Sequence, residues 1–378
     1  MREILFVAGE VSGDLHGAGV ARDLVARGAP YKLVGVGGDQ MRAAGVELIE
    51  HVGELAVMGF VEVLGALPRH WSLLNALKAR FRSGNVAAVV VIDYADFNMF
   101  VASAAKAAGV PVLFYITPQV WAWREGRMDT LARTVTKAAV IFPFEETMLR
   151  KRGVDATFVG HPLMDKLASL PERAAARQTL GIDPSARVLA LFPGSRSQEV
   201  ESLLDDFVAT ARELQRRDPK LQVIVSAAPH VTIDPKRCPY PTVRSASFTI
   251  FRAADAALCK SGTSTLEAAV TGCPLVMAYR TNPLNYALAK MFVSIPNIAL
   301  VNIVAEKRVA PEFIQDQVKP RAMADALEPL LDSSSVQRRK MIGDLDAVRA
   351  SLGKPGAAGR VAEMVLSIVA REGASHGR

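Results

Sequence analysis

Residues 3–19 read EILFVAGEVSGDLHGAG: an apolar run that leads directly into Glu10, Ser12, Asp14 and His16, with Gly9, Gly13, Gly17 and Gly19 set among them. A strand buried on both faces of a parallel sheet has this continuous apolar character. The turn from such a strand into a helix needs one glycine and one capping oxygen, and Ser12 or Asp14 alone supplies the cap. The remaining polar groups exceed that need, and the glycines let backbone or ligand approach closely. Ligands of open α/β sheets bind beyond the carboxyl ends of the strands. The stretch therefore predicts a parallel α/β domain whose first loop edges a site, with an over-decorated helix cap as the alternative.

The same pattern recurs along the first half of the chain. Apolar runs at 31–36, 87–92, 111–116, 138–142 and 156–159 predict further strands, with helical stretches such as 14–27 and 97–108 between them. Proline and charge rise over 160–187 and the strand runs stop there. The rhythm restarts at 187–194, 221–228, 255–260 and 274–279, and the chain turns helical from about Pro320. With 378 residues, two domains are expected, about 1–165 and 166–378. The fold class is α/β: two Rossmann-like doubly wound domains facing across a cleft, the GT-B architecture, with C-terminal helices. Those helices either cross back onto the first domain or exchange between the subunits of a homodimer.

Composition narrows the setting. Cys238, Cys259 and Cys273 lack metal-ligand spacing and suit reduced thiols. The N-terminal apolar run is too short for a signal peptide, and no window has the ~18–20 uninterrupted apolar residues of a spanning helix. The net charge is +7, and between Val63 and Ile92 there is no acidic residue, while Arg69, Lys78, Arg80 and Arg82 alternate with Leu64, Leu67, Trp71, Leu73, Leu74, Leu77 and Phe81. Together with LAVMGFVEVL (55–64), this window fits a helix lying on an anionic bilayer or a core-facing helix with a solvated basic face; the residues alone favour the second. No nucleic-acid-binding motif accompanies the charge.

Dinucleotide chemistry lacks its signature, since VGVGGDQM (34–41) has Gln40 where a third glycine belongs, and no P-loop occurs. Phosphate can instead be held at helix N-termini. PGSRSQEVESLL (193–204) offers Gly194, Ser195 and Arg196 at one helix start, and SGTSTLEAA (261–269) offers Ser261, Gly262, Thr263 and Glu267 at another. Hydroxyls and backbone N–H groups there suit a pyrophosphate, Glu267 suits ribose hydroxyls, and Arg196 can neutralise a leaving diphosphate. Each turn also fits an ordinary helix cap. In VVVIDYADFN (89–98), Asp93 fits a turn cap and Asp96 is the candidate general base. YITPQVWAWREGR (115–127) suits a sugar face or simple packing. No metal or cofactor is expected: Asp344 and Asp346 form the only D-x-D, in a charged helical segment, and the histidines show no ligand spacing.

The motifs GEVSGDLHGA, GVGGDQM, ELAVMGFVEVL, IDYADFN, ITPQVWAWR, FPFE, VGHPL, FPGSRSQEV, SGTSTLEAA and PEFIQ, in this order from Glu3 to about Leu331, resemble the lipid-A-disaccharide synthase family. The resemblance implies an inverting glycosyltransferase of Gram-negative lipid A synthesis that needs no metal. Such an enzyme joins UDP-2,3-diacylglucosamine to 2,3-diacylglucosamine 1-phosphate (lipid X) by a β-1,6 link and releases UDP. It works as a peripheral protein at the cytoplasmic face of the inner membrane, which favours the membrane reading of 55–82.

Residue by residue, the resemblance puts Glu10, Ser12 and Asp14 on the acceptor side and makes Asp96 the base for the acceptor 6-hydroxyl. It gives Arg196, Ser261, Thr263 and Glu267 contacts with UDP. Glu312 and Gln315 match P-E-x-x-Q, and Asn302, preferred over Asn297, matches the asparagine of an upstream L-P-N. Ala95 stands where the family usually has proline. The rivals are a UDP-N-acetylglucosamine 2-epimerase, which has no need of the apolar and basic window, and the lipid II glycosyltransferase, whose glycine-rich opening is missing. A non-catalytic membrane scaffold has no use for Asp96, Arg196 and Glu267 together.

Overall fold

The computed structural model describes residues 1–54, 60–118, 126–282, 286 and 297–375. Most of the Trp-rich loop at 115–127, residues 55–59 of the apolar window and Pro296 lie outside the described residues. The chain divides into two compact units, Met1–Pro162 with Lys354–Arg378, and Leu163–Gly353.

The first unit is built on a seven-stranded parallel sheet of order β3-β2-β1-β4-β5-β6-β7. Its strands are β1 (Glu3–Ala8), β2 (Lys32–Gly37), β3 (Glu47–His51), β4 (Val86–Ile92), β5 (Val112–Tyr115), β6 (Lys137–Val140) and β7 (Ala156–Phe158). Helices α1 (Val11–Ala26), α2 (Asp39–Ala43), α3 (Phe60–Arg82), α4 (Ala95–Ala107), α5 (Gly126–Thr134) and α6 (Pro143–Arg150) connect them. Side chains alternate across each strand. Ile4, Phe6 and Ala8 of β1 thus join Val90 and Ile92 of β4 in the core on one face of the sheet, while Leu5, Val7, Val89 and Val91 fill the core on the other with α3 and α4.

The second unit repeats the topology in a six-stranded parallel sheet of order β10-β9-β8-β11-β12-β13. Here β8 is Val188–Phe192, β9 Gln222–Ala227, β10 Thr242–Arg244, β11 Ala256–Lys260, β12 Leu275–Tyr279 and β13 Glu312–Ile314. Its helices are α7 (Arg173–Thr179), α8 (Ser197–Arg217), α9 (Ser247–Ala253), α10 (Ser264–Thr271), α11 (Leu300–Val304), α12 (Pro320–Leu331) and α13 (Val336–Ser351). The final helix, α14 (Ala357–Ser375), belongs to the first unit and adds Val361, Ala362, Val365 and Ile368 to the core beside α1. Arg360 fixes it there, donating from Nε to the Val159 carbonyl at 2.7 Å.

The basic window resolves into parts. Leu73, Leu74, Leu77 and Phe81 are core, so this stretch of α3 faces inward, whereas Trp71 is 55 % exposed. Arg80 forms a bidentate pair with Glu3 (2.7 and 2.7 Å) and Arg69 pairs with Glu50 at 2.5 Å, so neighbouring elements neutralise two of the four charges. The D-x-D is a helix face with ion pairs: Asp344 to Lys307 at 2.6 Å and Asp346 to Arg349 at 2.8 Å.

Asp255 is the electrostatic hub of the second unit. It precedes β11 and accepts from Arg173 Nη2 (2.6 Å), Arg177 Nη2 (3.0 Å) and the Val188 N–H (2.9 Å), which ties α7 to the starts of β8 and β11. The side chains of Arg177 and Asp255 are only 5 % and 14 % exposed. Removing one partner of such a pair leaves a buried charge uncompensated. Asp255→Ala is expected to destabilise the second unit by about 3 kcal/mol, read as a lower urea midpoint; an unchanged midpoint would show that the network adds no net stability.

Candidate active site

In a doubly wound sheet the helices on either side of the first strand leave toward opposite faces, opening a crevice at the carboxyl ends of the two central strands. The first unit has this switch point between β1 and β4, and the second between β8 and β11.

At the first, Glu10 follows β1 and Asp93 follows β4. Both Asp93 (φ 51°) and Tyr94 (φ 48°) adopt the left-handed conformation, uncommon for non-glycine residues. Asn98, fully buried one turn into α4, holds this corner: its Nδ2 donates to the carbonyls of Asp93 (2.7 Å), Ile92 (3.1 Å) and Val7 (3.3 Å). The Tyr94 ring lies over Gly9, where a Cβ would sit 2.1 Å from it, so the first glycine of the opening loop is needed for close approach. The Tyr94 hydroxyl is 2.7 Å from His70 Nε2 on α3. Burial, and then the Glu10 charge, raise the Asp93 carboxyl above its ordinary range. Burial raises the Tyr94 hydroxyl as well, helped by Glu10 and Asp96. Asp96 stands exposed in the first turn of α4, and Glu10 and Ser12 are exposed at the start of α1. Three carboxylates, Glu10, Asp93 and Asp96, thus gather at one switch point.

At the second, a glycine turn follows each of β8 and β11. Gly194 and Gly262 both have φ 147°, a conformation that favours glycine. A Cβ at Gly194 would also lie 2.5 Å from Glu199 Cβ. Glu199 Oε2 accepts from the Ser195 N–H (2.9 Å) and the Arg196 N–H (3.3 Å), while Oε1 pairs with Lys260 Nζ at 2.7 Å. Burial pushes Glu199 upward, but the Lys260 ammonium and the two N–H groups outweigh it and hold the carboxyl below its ordinary value. Ser195, Arg196 and Thr263 are exposed, whereas Ser261 is buried and donates to the Ile298 carbonyl at 3.1 Å. Burial raises the Glu267 carboxyl, which Ser247 opposes through a hydrogen bond.

Four residues expected to touch substrate are engaged within the chain. Asp14 is 4 % exposed, and its carboxylate accepts from the N–H groups of Gly38 (2.7 Å), Met41 (3.0 Å) and Gln40 (3.1 Å), capping α2 after β2. Asn302 is completely buried: Nδ2 donates to the Ala310 carbonyl and Glu312 Oε1 (both 2.8 Å), and Oδ1 accepts from the Val309 and Ala310 N–H groups (both 2.8 Å). Every hydrogen-bonding position of its amide is filled. Glu312, also buried, holds the Ile298 (3.1 Å) and Ala299 (3.0 Å) N–H groups. Gln315 clamps the Thr281 backbone through both ends of its amide, at 2.9 and 3.0 Å. Asn302 thus braces the 309–310 backbone, Glu312 the 298–299 backbone and Gln315 the Thr281 backbone. Asn302, the expected match, is thus engaged within the chain, while Asn297 is partly exposed and adjoins Ile298, whose carbonyl receives Ser261.

A family model described as lipid-A-disaccharide synthetase matches residues 4–354. The chain belongs to the lipid-A-disaccharide synthase family. It is 39 % identical over 379 residues to the lipid-A-disaccharide synthase of Geobacter metallireducens, covering 98 % of each chain, and 40 % identical over 377 residues to that of Syntrophus aciditrophicus, covering 97 % of each. Solved structures share the fold at low identity. The calicheamicin glycosyltransferase CalG4 has a TM-score of 0.62 at 18 % identity, with 98 % of this chain and 99 % of that chain covered. The UDP-GlcNAc 2-epimerase of Neisseria meningitidis has 0.65 at 12 %, with 97 % and 100 % covered. Because glycosyltransferases and epimerases share this GT-B arrangement of two Rossmann-like units, the fold does not separate them; the family does. As a lipid-A-disaccharide synthase family member, the chain is a glycosyltransferase of lipid A biosynthesis.

Sequence reasoning passed over His70, Tyr94, Glu199 and Lys260. Lys260 left one signal, a charge ending the apolar run DAALCK immediately before SGT; His70 left none, since only folding brings α3 to the β4 corner. His161, in the VGHPL motif, is another buried group in the first unit of this family member. Burial, helped by His16, lowers its pKa to about 4. Between the unfolded value of ~6.5 and ~4 the unfolded chain binds the extra proton, so stability falls as pH drops through this window, by up to about 3 kcal/mol. His161→Gln should flatten that part of the stability–pH curve; an unchanged slope would assign the acid sensitivity to other groups.

Proposed function

We propose that the chain transfers the 2,3-diacylglucosamine unit of UDP-2,3-diacylglucosamine to the 6-hydroxyl of 2,3-diacylglucosamine 1-phosphate, with inversion to a β-1,6 link and release of UDP. The observation that carries this reading is the division of chemistry between the two switch points: a carboxylate cluster in one unit, and two glycine turns with exposed hydroxyls, helix N-termini and Arg196 in the other. A carboxylate is what a hydroxyl nucleophile needs to lose its proton. Helix N-termini and a guanidinium are what a departing diphosphate needs.

In the proposed single displacement, Asp96 takes the proton of the acceptor hydroxyl as its oxygen attacks the anomeric carbon. The bond from that carbon to the diphosphate oxygen breaks on the opposite side, and its electron pair leaves with UDP. Arg196 and the turns at Gly194 and Gly262 meet the charge that develops there. Ser195, Ser261, Thr263, Glu267 and Asn297 frame the donor; Glu10 and Ser12 frame the acceptor. Asp93 is the second candidate base, favoured by its raised pKa.

With acylated substrates the protein would work at a membrane surface, in this reading the cytoplasmic face of the inner membrane. Among the described residues no helix is long and apolar enough to cross a bilayer, so attachment would be peripheral. Exposed Trp71, beside Phe100 (57 % exposed, ring centroids 6.4 Å apart), would add an aromatic edge to the 55–82 window.

The test is UDP release in detergent micelles with EDTA present, with and without the acceptor. Release that requires the acceptor and survives EDTA is expected; release without it, or none, would overturn the assignment. Asp96→Asn should bind UDP and lose turnover, and if Asp93→Asn does so instead, the base is Asp93. Arg196→Ala should lower turnover by about 10²-fold, as expected for a group that meets transition-state charge; a change in donor affinity alone would make it a ground-state contact.

A further inference from the structure

Glu199 presents a difficulty for a diphosphate site. It lies in the first turn of α8, and its carboxylate already occupies the Ser195 and Arg196 N–H groups, two of the backbone donors at this helix entry. An ionised carboxylate there would repel a diphosphate. The charge is answered from a different element: Lys260, the last residue of β11, reaches Glu199 Oε1 at 2.7 Å across 61 residues of sequence. The pair is sheltered, with side chains 20 % and 18 % exposed. The ammonium lies 5.8 Å from the centre of the Tyr279 ring, and the Lys260 carbonyl accepts from Ser264 Oγ at 3.0 Å, so Lys260 is fastened to the start of α10 as well.

We infer that Lys260 is a positioning residue for the donor diphosphate: it neutralises Glu199 beneath the PGSR turn and ties that turn to the SGT turn, so that the two helix N-termini act as one anion cradle. The inference rests on the proposed role of these turns in holding UDP. In this arrangement Lys260 need not touch phosphate. With the ammonium in place, Glu199 braces the Gly194–Arg196 backbone without net charge, leaving Arg196 and the turn backbone to favour the anion. Without it, a sheltered negative charge remains where the diphosphate must bind.

The test is UDP and UMP binding by titration calorimetry on the full chain. Lys260→Met should weaken UDP binding about tenfold or more, as for loss of one partner of a sheltered ion pair. UMP, with less charge, should lose less. Lys260→Met/Glu199→Gln, which removes both charges, should recover UDP affinity to within about threefold of wild type. Glu199→Gln alone should bind UDP at least as tightly as wild type, which keeps the test open should Lys260→Met fold poorly. Equal UDP affinity of Lys260→Met and wild type would overturn the inference. So would a double variant as weak as Lys260→Met, which would place Lys260 on the phosphates themselves, a loss equal for UMP and UDP, or weaker UDP binding by Glu199→Gln. A wild-type protein that does not bind UDP would instead overturn the donor-site reading on which the inference stands.

Discussion

The carboxyl ends of β1 and β4, and of β8 and β11, are where helices depart to opposite faces of a sheet, and nearly every feature of this protein follows from that arrangement. Where the helices diverge, the strand ends cannot be covered by the chain's own apolar surface. The loops there must be polar, close-packed and self-supporting. Backbone groups at such ends need partners, and the molecule supplies them with buried or sheltered side chains: Asn98 for three carbonyls at the β1/β4 corner, Asp14 for three N–H groups after β2, and Glu199 for two at the start of α8.

The part of the fold that was legible in the sequence was the part buried on both faces. LFVA, AVVVI, VLALF and LVMAY belong to central strands packed by helices on either side, where continuous apolar runs are required. The strands not foreseen, Glu47–His51, Thr242–Arg244 and Glu312–Ile314, all lie at sheet edges, where ELIEH, TVR and EFI carry no such run. The site was legible by position, because polar residues that follow apolar runs lie at strand ends. It was less legible by role. Asp14 and Asn302 are as polar as any ligand-facing residue, and a linear sequence does not show that the chain's own N–H and C=O groups fill them. The Lys260–Glu199 pair was invisible because its partners lie on different elements.

The two units also divide charge. Glu10, Asp93 and Asp96 concentrate negative charge on strand ends of the first unit, and the Glu10 charge adds to burial in raising the Asp93 carboxyl. Like charges held together make a better proton acceptor than any of them alone. The second unit presents helix N-termini, Arg196 and the Lys260-neutralised Glu199, a set suited to accepting negative charge. In the proposed single displacement neither set suffices by itself: without a leaving-group stabiliser the acceptor hydroxyl keeps its proton, and an anion cradle with no base only binds its nucleotide.

The corner at Asp93 and Tyr94 shows what such a site costs. Two consecutive left-handed residues without glycine are each disfavoured by about 1–3 kcal/mol, and Asn98 Oδ1 is a buried acceptor with no hydrogen-bond partner among the described residues. A corner built for stability alone would put glycine at 93 or 94 and give Asn98 a full set of partners. Glycine at 94 would remove the ring that packs over Gly9 and the hydroxyl that meets His70; glycine at 93 would remove the carboxylate. The strained backbone thus keeps side chains where glycine would relieve it. Asn98, by gripping the carbonyls of both central strands at once, provides the rigidity that keeps this unfavourable conformation from relaxing.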